Sequence, residues 1–272
     1  AHDEFVAIVE ELKPCIEQMA KSKEQREDGA PNYFELIIAI GFLYFKKKKC
    51  KWVVCEVGCG GTHDATNVIL NTRVAVITNI DLDHTQILGK TLTKIAREKA
   101  GIIKNGSGVF TGECRPHLRK IFEKVAKEKN AHLNIVEYEG GAIEQNKALA
   151  RAVGNYLKLQ EKNIETGIAQ TKLPCRFEIM QREPLIILDG AHSPIKIQSV
   201  VDRLKRLKYR WLILLISIAA NKDIDAMMKI IAPYADMIIV TQFKVAQRTS
   251  ADPRELARIA ARYKNGTASI IV

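Results

Sequence analysis

Between residues 52 and 104 the chain sets a carboxylate, a histidine and a lysine beside a glycine-rich turn. The stretch reads WVVCEVGCGGTHDATNVI, then VAVITNIDLDHTQILG, then KIAREKAGIIK. Two apolar, β-branched runs, 52–57 and 74–77, read as buried parallel strands, each breaking into a polar loop. Glu56 ends the first run, just before Gly58, Gly60 and Gly61. Asp81, Asp83 and His84 follow the second, and Lys99 comes fifteen residues after His84 on a predicted helix. Ligands of an open α/β sheet sit outside the carboxyl ends of its strands, so these groups converge on one edge. The glycines permit positive φ and close approach of backbone to a ligand, although a plain strand-to-helix turn uses the same residue types. Asp64 and Asn67, in DATN, either order this loop or touch a substrate. A hard Mg²⁺ wants oxygen ligands and phosphates. By spacing alone His84 is therefore a base or a hydrogen-bonded core histidine.

The elements that must position these groups alternate along the chain. Residues 3–20 read as an amphipathic helix with an acidic first turn, which suits the helix dipole. Residues 21–32 form a charged loop. An apolar helix at 33–45 ends in four lysines, 46–49, read as a solvated helix C-terminus rather than a phosphate patch. After the site region come a strand at 109–112, a helix at 116–129, a strand at 132–138 and a helix at 142–160. Residues 161–173 are polar and read as the linker. Beyond it lie strands at 185–188, 211–218, 237–241 and 269–272, with helices at 195–207, 223–232 and 253–263. Asp252 caps the last helix, with proline at its first position. Strands alternating with helices imply mainly parallel sheets.

At 272 residues the chain is long enough for one large domain or two ordinary ones. No apolar run has the length of a membrane span, and no signal peptide is recognisable, so a cytoplasmic protein with no membrane partner is expected. The six cysteines show no metal or redox spacing and read as reduced and structural. A formal charge of +11 suits anionic ligands such as nucleotides. The lysines are scattered over helices without interleaved aromatics, so nucleic acid is not expected as a partner. LGKT at 88–91 mimics the end of a phosphate loop. Its first glycine would have to be residue 84, which is His84, and no strand leads directly into it.

EVGCGGTHDATN, TNIDLDHTQILG and KIAREKAGIIK, with LPCRFE at 173–178 and ILDGAHSP at 187–194, resemble the motifs of the folylpolyglutamate synthase/dihydrofolate synthase branch of the Mur-type ligases, in the same order. The resemblance implies an α/β fold: a Mur-ligase-like, three-layer, P-loop-type N-terminal domain (1–173), and a smaller Rossmann-like glutamate-ligase domain (174–272). It implies Mg²⁺ held by Glu56 and His84 near ATP phosphates, and a carbamylated lysine at Lys99. It places Asp189 and His192 against the nucleotide, Asn146 more loosely so, and Arg176 against ATP phosphate from across the domain cleft. The family's glycine before that arginine is Cys175 here, and its motif asparagine is Ser193.

The implied activity is ATP-dependent addition of L-glutamate to a folate or dihydropteroate carboxylate through an acyl phosphate, by a monomer. Family members also carry GTNGKGS and an SPHL segment, and these 272 residues contain neither. A second reading is therefore a truncated or catalytically silent fragment that binds nucleotide or a partner. A third is a Mur-type ligase acting on another acid. A GTNGKGS segment upstream separates the first two.

Overall fold

The computed structural model describes residues 2–21, 31–245, 248–264 and 269–272. The chain divides into two compact units, Ala1–Glu139 with Gln145–Glu161, and Gly140–Glu144 with Lys162–Val272.

The first unit opens with α1 (His2–Lys21) and α2 (Tyr33–Lys47). Asn32 caps α2 reciprocally: its side chain accepts from Glu35 N at 3.0 Å, and the Glu35 carboxylate accepts from Asn32 N at 2.8 Å. The lysine run at the end of α2 is exposed, and two of its members reach back to α1. Lys47 pairs with Glu11 at 2.6 Å, and Lys48 pairs with Glu4. Then follow β1 (Val74–Ile77), α3 (Thr85–Leu88), α4 (Leu92–Ala100), β2 (Gly108–Thr111), α5 (Pro116–Glu128), β3 (His132–Ile135) and α6 (Ala142–Tyr156), the last belonging here from Gln145 onward. The strands form a parallel sheet in the order β1-β2-β3, with Val74 opposite Gly108 and Gly108 opposite His132.

Alternation along β2 decides the layers, because successive side chains of a strand point to opposite faces. Val109 joins Ile77, Ile95, Ala96, Leu118 and Phe122 in a buried cluster that seats α4 and α5 on one face. Phe110 meets Tyr156 of α6 on the other, edge-on at 5.3 Å between ring centroids. The first unit is a three-layer α/β/α sandwich, as expected.

The second unit contains α7 (Glu161–Gln170), β4 (Glu178–Arg182), β5 (Leu185–Leu188), α8 (Pro194–Leu204), β6 (Ile213–Ile216), α9 (Ile224–Ile231), β7 (Met237–Val240), β8 (Lys244–Val245), β9 (Arg248–Thr249), α10 (Pro253–Tyr263) and β10 (Ser269–Ile271). Its parallel sheet runs β10-β7-β6, the strands linked through α9 and α10. Val201, Met227, Met228, Ile238, Val240, Leu256 and Ala260 form its core. Asp252 caps α10 as expected, accepting from Arg254 N at 2.7 Å, with Pro253 opening the helix.

Four expectations differ from the structure. Residues 52–57 do not form a strand: among the described residues β1 pairs only with β2, and the 52–57 run joins no ladder. Residues 161–170, read as the linker, are helical, α7, with Ile164 buried, and the boundary between the two units falls at the start of that helix. The strand at 185–188 pairs antiparallel with β4 in a separate hairpin, because only Glu183 and Pro184 connect the two strands. The cysteines are free but not core: five are exposed and Cys59 is half-buried. Most of the loop expected at 21–32 lies outside the described residues.

Phe122 is fully buried between α5 and the sheet. Phe122→Ala is expected to destabilise the first unit by about 3–5 kcal/mol through lost transfer energy and the cavity left behind. Urea denaturation followed by circular dichroism measures this.

Candidate functional site

The glycine loop after residue 57 is shaped by its own polar groups. Asp64 is buried; its Oδ2 accepts from Cys59 N at 2.8 Å, and its Oδ1 accepts from Thr66 N at 2.9 Å and from the Thr66 hydroxyl at 2.5 Å. Burial opposes ionisation of this carboxyl, yet those donors outweigh it and hold Asp64 below the usual carboxylate range. Asn67 Nδ2 donates to the carbonyls of Thr62 (3.0 Å) and Gly101 (3.2 Å), lashing the loop to the end of α4. The Thr62 amide donates to the Glu98 carbonyl at 3.0 Å. Gly60 adopts φ +75°, a left-handed conformation that favours glycine. Gly61 lies against the α4 backbone so closely that a Cβ would collide with the Glu98 carbonyl oxygen.

This lashing brings Lys99 to the loop. Glu56, Gly60 and Lys99, with Thr78 and Asn79 from the carboxyl end of β1, line one cavity of about 640 Å³. Glu56 is exposed and Lys99 half-buried. Burial pushes the Cys59 thiol up, while Lys99 acts in the opposite direction and Asp64, Asp83 and Glu98 add to the rise. The lysine and those three carboxylates therefore share one neighbourhood.

A second clamp sets the loop after β1. Glu113 is 2% exposed. Its Oε1 accepts from Arg115 N (2.9 Å) and Nε (2.7 Å), and its Oε2 from Arg115 Nη2 (2.6 Å) and from Ile80 N (3.2 Å). Arg115 Nη2 also donates to the Ile80 carbonyl. Burial opposes the charge on Glu113, but the Arg115 guanidinium and amide outweigh it and keep the carboxyl below its ordinary range. On the loop so held, His84 is exposed, adopts φ +51° and stands before α3; its amide donates to Asp83 Oδ1 at 2.9 Å. His84 does not line the cavity that Glu56 and Lys99 share. Gln145 gives the third tie: buried on α6, its Nε2 donates to the carbonyls of Gly112 (3.0 Å) and Thr78 (3.3 Å), while its neighbour Asn146 is exposed.

In the second unit Asp189 staples two turns together. Its Oδ2 accepts from Phe177 N and its Oδ1 from Ala191 N, both at 2.7 Å. Gly190 N donates to the Cys175 carbonyl at 2.7 Å, and Cys175 N donates to the Glu178 carboxylate at 2.8 Å. Cys175 and Phe177 both adopt left-handed φ, +53° and +54°, so Arg176 rides exposed on a turn fixed at both ends. The Arg203 guanidinium lies 4.0 Å over the Phe177 ring, and its Nη1 donates to the Arg176 carbonyl at 3.4 Å. His192 Nδ1 is 2.8 Å from the Gly190 carbonyl, and its Nε2 is 2.8 Å from Lys196 Nζ.

Sequence reasoning missed Glu113, Arg115, Gln145 and Arg203. Gln145 had a signal, a lone amide on the face that carries Leu149. Arg203 had none, because its partner is twenty-seven residues away.

Residues 15–180 match the Mur ligase middle domain, and residues 175–272 match the Mur ligase glutamate ligase domain. The folylpolyglutamate synthase of Lacticaseibacillus casei is 32% identical over 261 residues, covering 82% of this chain and 60% of that protein. This chain thus spans well under two thirds of that relative's length. E. coli FolC in complex with DHPP and ADP superposes with a TM-score of 0.76 at 27% identity, over 90% of this chain and 69% of that one. Mycobacterium tuberculosis folylpolyglutamate synthase, complexed with ADP and AMPPCP, has the same fold: TM-score 0.86 at 24% identity, over 99% of this chain and 69% of that one.

Two substitutions test the scaffold. Glu113 has a folded pKa below its unfolded value, so its contribution is complete above pH about 4.5 and is lost as pH falls through the folded value. Glu113→Gln is expected to cost about 1.5–3 kcal/mol at pH 7, the range for a hydrogen bond to a charged group. The gap from the parent protein should narrow in acid, as urea titrations across pH would read. Gly61→Ala is expected to cost about 1–3 kcal/mol by overpacking the loop against α4, seen as a lowered melting temperature.

Proposed function

We infer that this chain, which belongs to the Mur ligase family, is the larger part of an ATP-dependent ligase that joins L-glutamate to a folate or dihydropteroate carboxylate. The observation that carries this reading is the meeting of Glu56, Gly60, Asn79 and Lys99 in one cavity at the carboxyl end of β1. That is where an open parallel sheet presents its ligands. The names of the relatives, the nucleotide bound in their solved structures and the match to a glutamate ligase domain support the choice of substrates.

The reaction balances in two steps. A carboxylate oxygen of the pterin-bearing substrate attacks the γ-phosphorus of ATP, the bond to the bridging oxygen breaks, and ADP leaves with that electron pair. The unprotonated amine of L-glutamate then attacks the acyl carbon. The C–O bond breaks, inorganic phosphate leaves, and the amine proton passes to phosphate or solvent.

Mg²⁺ is the expected metal. Among the described residues no three His, Cys, Asp or Glu side chains are grouped to hold an ion. Mg²⁺ is commonly bound through one or two carboxylates together with substrate phosphates and water. Glu56 would hold it, a carbamate on Lys99 would add oxygen donors, and His84 stands on the neighbouring loop. The metal would neutralise charge on the transferring phosphoryl group.

The chain's own residues supply the rest. The Asp64 and Asn67 contacts keep the glycine loop open for close approach. In the second unit Asp189 spends its carboxylate bracing the turn that presents Arg176, whose planar fork suits phosphate oxygens. His192 and Asn146 are proposed nucleotide contacts.

The test is release of ADP by the protein as isolated from its source, assayed with ATP, L-glutamate and dihydropteroate or tetrahydrofolate. ADP is expected only when both acceptor and glutamate are present. Glu56→Gln and Lys99→Ala should each lower kcat/KM by about 100-fold or more, with the melting temperature unchanged. Turnover indifferent to both substitutions would overturn the assignment.

A further inference from the structure

The peptide unit between Arg176 and Phe177 is held at both of its poles. Its N–H, on Phe177, donates to Asp189 Oδ2 at 2.7 Å. Its carbonyl, on Arg176, accepts from Arg203 Nη1 at 3.4 Å. A peptide group is planar, so fixing both poles fixes the plane and the dihedrals on either side of it. Arg203 adds a third hold, its guanidinium lying 4.0 Å over the ring of Phe177, which is only 7% exposed. The anchor is firm. Arg203 stands near the end of α8 between Val201 and Leu204, both buried, and Val201 belongs to the core of the second unit.

An arginine is a costly way to cover a ring. Burial holds its guanidinium below the usual arginine range, although Asp189 and Glu144 act in the opposite direction; Arg206 adds to the fall. A leucine or methionine would shield Phe177 without desolvating a charge. What an aliphatic side chain lacks is a planar group that stacks on a ring while an N–H donates elsewhere. Arg203 does both, and the acceptor it takes is the carbonyl of Arg176.

We propose that Arg203 is a positioning residue for Arg176: by clamping the carbonyl of the 176–177 peptide and the Phe177 ring, it fixes the direction in which the Arg176 side chain leaves the turn toward a phosphate. This rests on the phosphate-binding role proposed above for Arg176. Arg203 acts through the backbone and touches no substrate.

A double-mutant cycle tests this, by steady-state kinetics with ATP varied, on protein produced from its complete gene. Arg176→Ala is expected to lower kcat/KM for ATP by about 100-fold through loss of a charge-stabilising contact. Arg203→Met is expected to lower it by about tenfold through misplacement. With Arg176→Ala already present, the same change should cost less than about twofold. Arg203→Lys keeps the charge without the planar group and should recover no more than about twofold of the loss. Phe177→Leu removes the ring and leaves α8 intact. It should repeat the loss of about tenfold, again only with Arg176 in place, and it carries the test if Arg203→Met does not fold. Amide hydrogen exchange in 175–178 should quicken by about tenfold in either variant, with β7 unchanged. Additive losses from Arg176→Ala and Arg203→Met would overturn the positioning role, as would a loss of activity with exchange in 175–178 unchanged. Full activity of Arg203→Lys would overturn it too, by making charge rather than geometry decisive. Arg176→Ala without effect on kcat/KM would instead overturn the reading of Arg176, and this role with it.

Discussion

A parallel strand needs a hydrogen-bonded neighbour on each edge and an apolar layer on each face, and both units are organised by that need. β2 satisfies it fully: β1 and β3 flank it, Val109 packs beneath α4 and α5, and Phe110 packs against Tyr156. β7 does the same between β6 and β10. Where the need is unmet, apolar side chains stand in water, as with Val54 beside β1 and Ile213 and Leu215 on β6. The glycine loop, the loop after β1 and the turn after β5 each leave a strand end or an extended run. The residues proposed for the site are concentrated at those points.

The acidic residues there fall into two groups that the sequence presents alike. Asp64, Glu113 and Asp189 accept backbone hydrogen bonds that fix loop geometry, and the first two are buried. Glu56 is exposed at a cavity rim. A carboxylate has about four acceptor sites; Glu113 fills four with donors, Asp64 three and Asp189 two. Asp64, Glu113 and Asp189 thus hold backbone in place, whereas Glu56 and Arg176 are exposed.

Local signals made much of this legible. The β-branched run 74–77 became β1 with those bounds, Asp252 and Pro253 opened α10, and helices stand where one was expected to carry Lys99 and another to span 116–129. The run 52–57 had the same composition as β1, yet pairing depends on what stands beside a strand, and composition does not record that. Glu113 and Arg115 sit in GECRP, where nothing in the pattern marks a buried ion pair; its value lies in Ile80, more than thirty residues earlier. Cys175 is a middle case. The resemblance put a glycine at this position, and the backbone there does hold the left-handed conformation glycine favours, at φ +53°. The turn is thus kept despite the substitution, through the bonds of Gly190 and Glu178.

That persistence bears on how Arg176 is presented. Left-handed residues other than glycine cost of order 1–2 kcal/mol each, and here two of them flank the arginine. Such a turn survives only if its surroundings over-determine it. The surroundings do: Asp189 receives the Phe177 amide, Gly190 donates to the Cys175 carbonyl, and Arg203 both covers the Phe177 ring and bonds the Arg176 carbonyl. A solvated arginine on a flexible loop would lose much of its binding energy to ordering on meeting a phosphate. Here the backbone beneath it is ordered beforehand, so only the side chain remains to be fixed. On the role proposed for Arg176, the apolar and hydrogen-bonded contacts of the second unit are thereby converted into readiness for an anion.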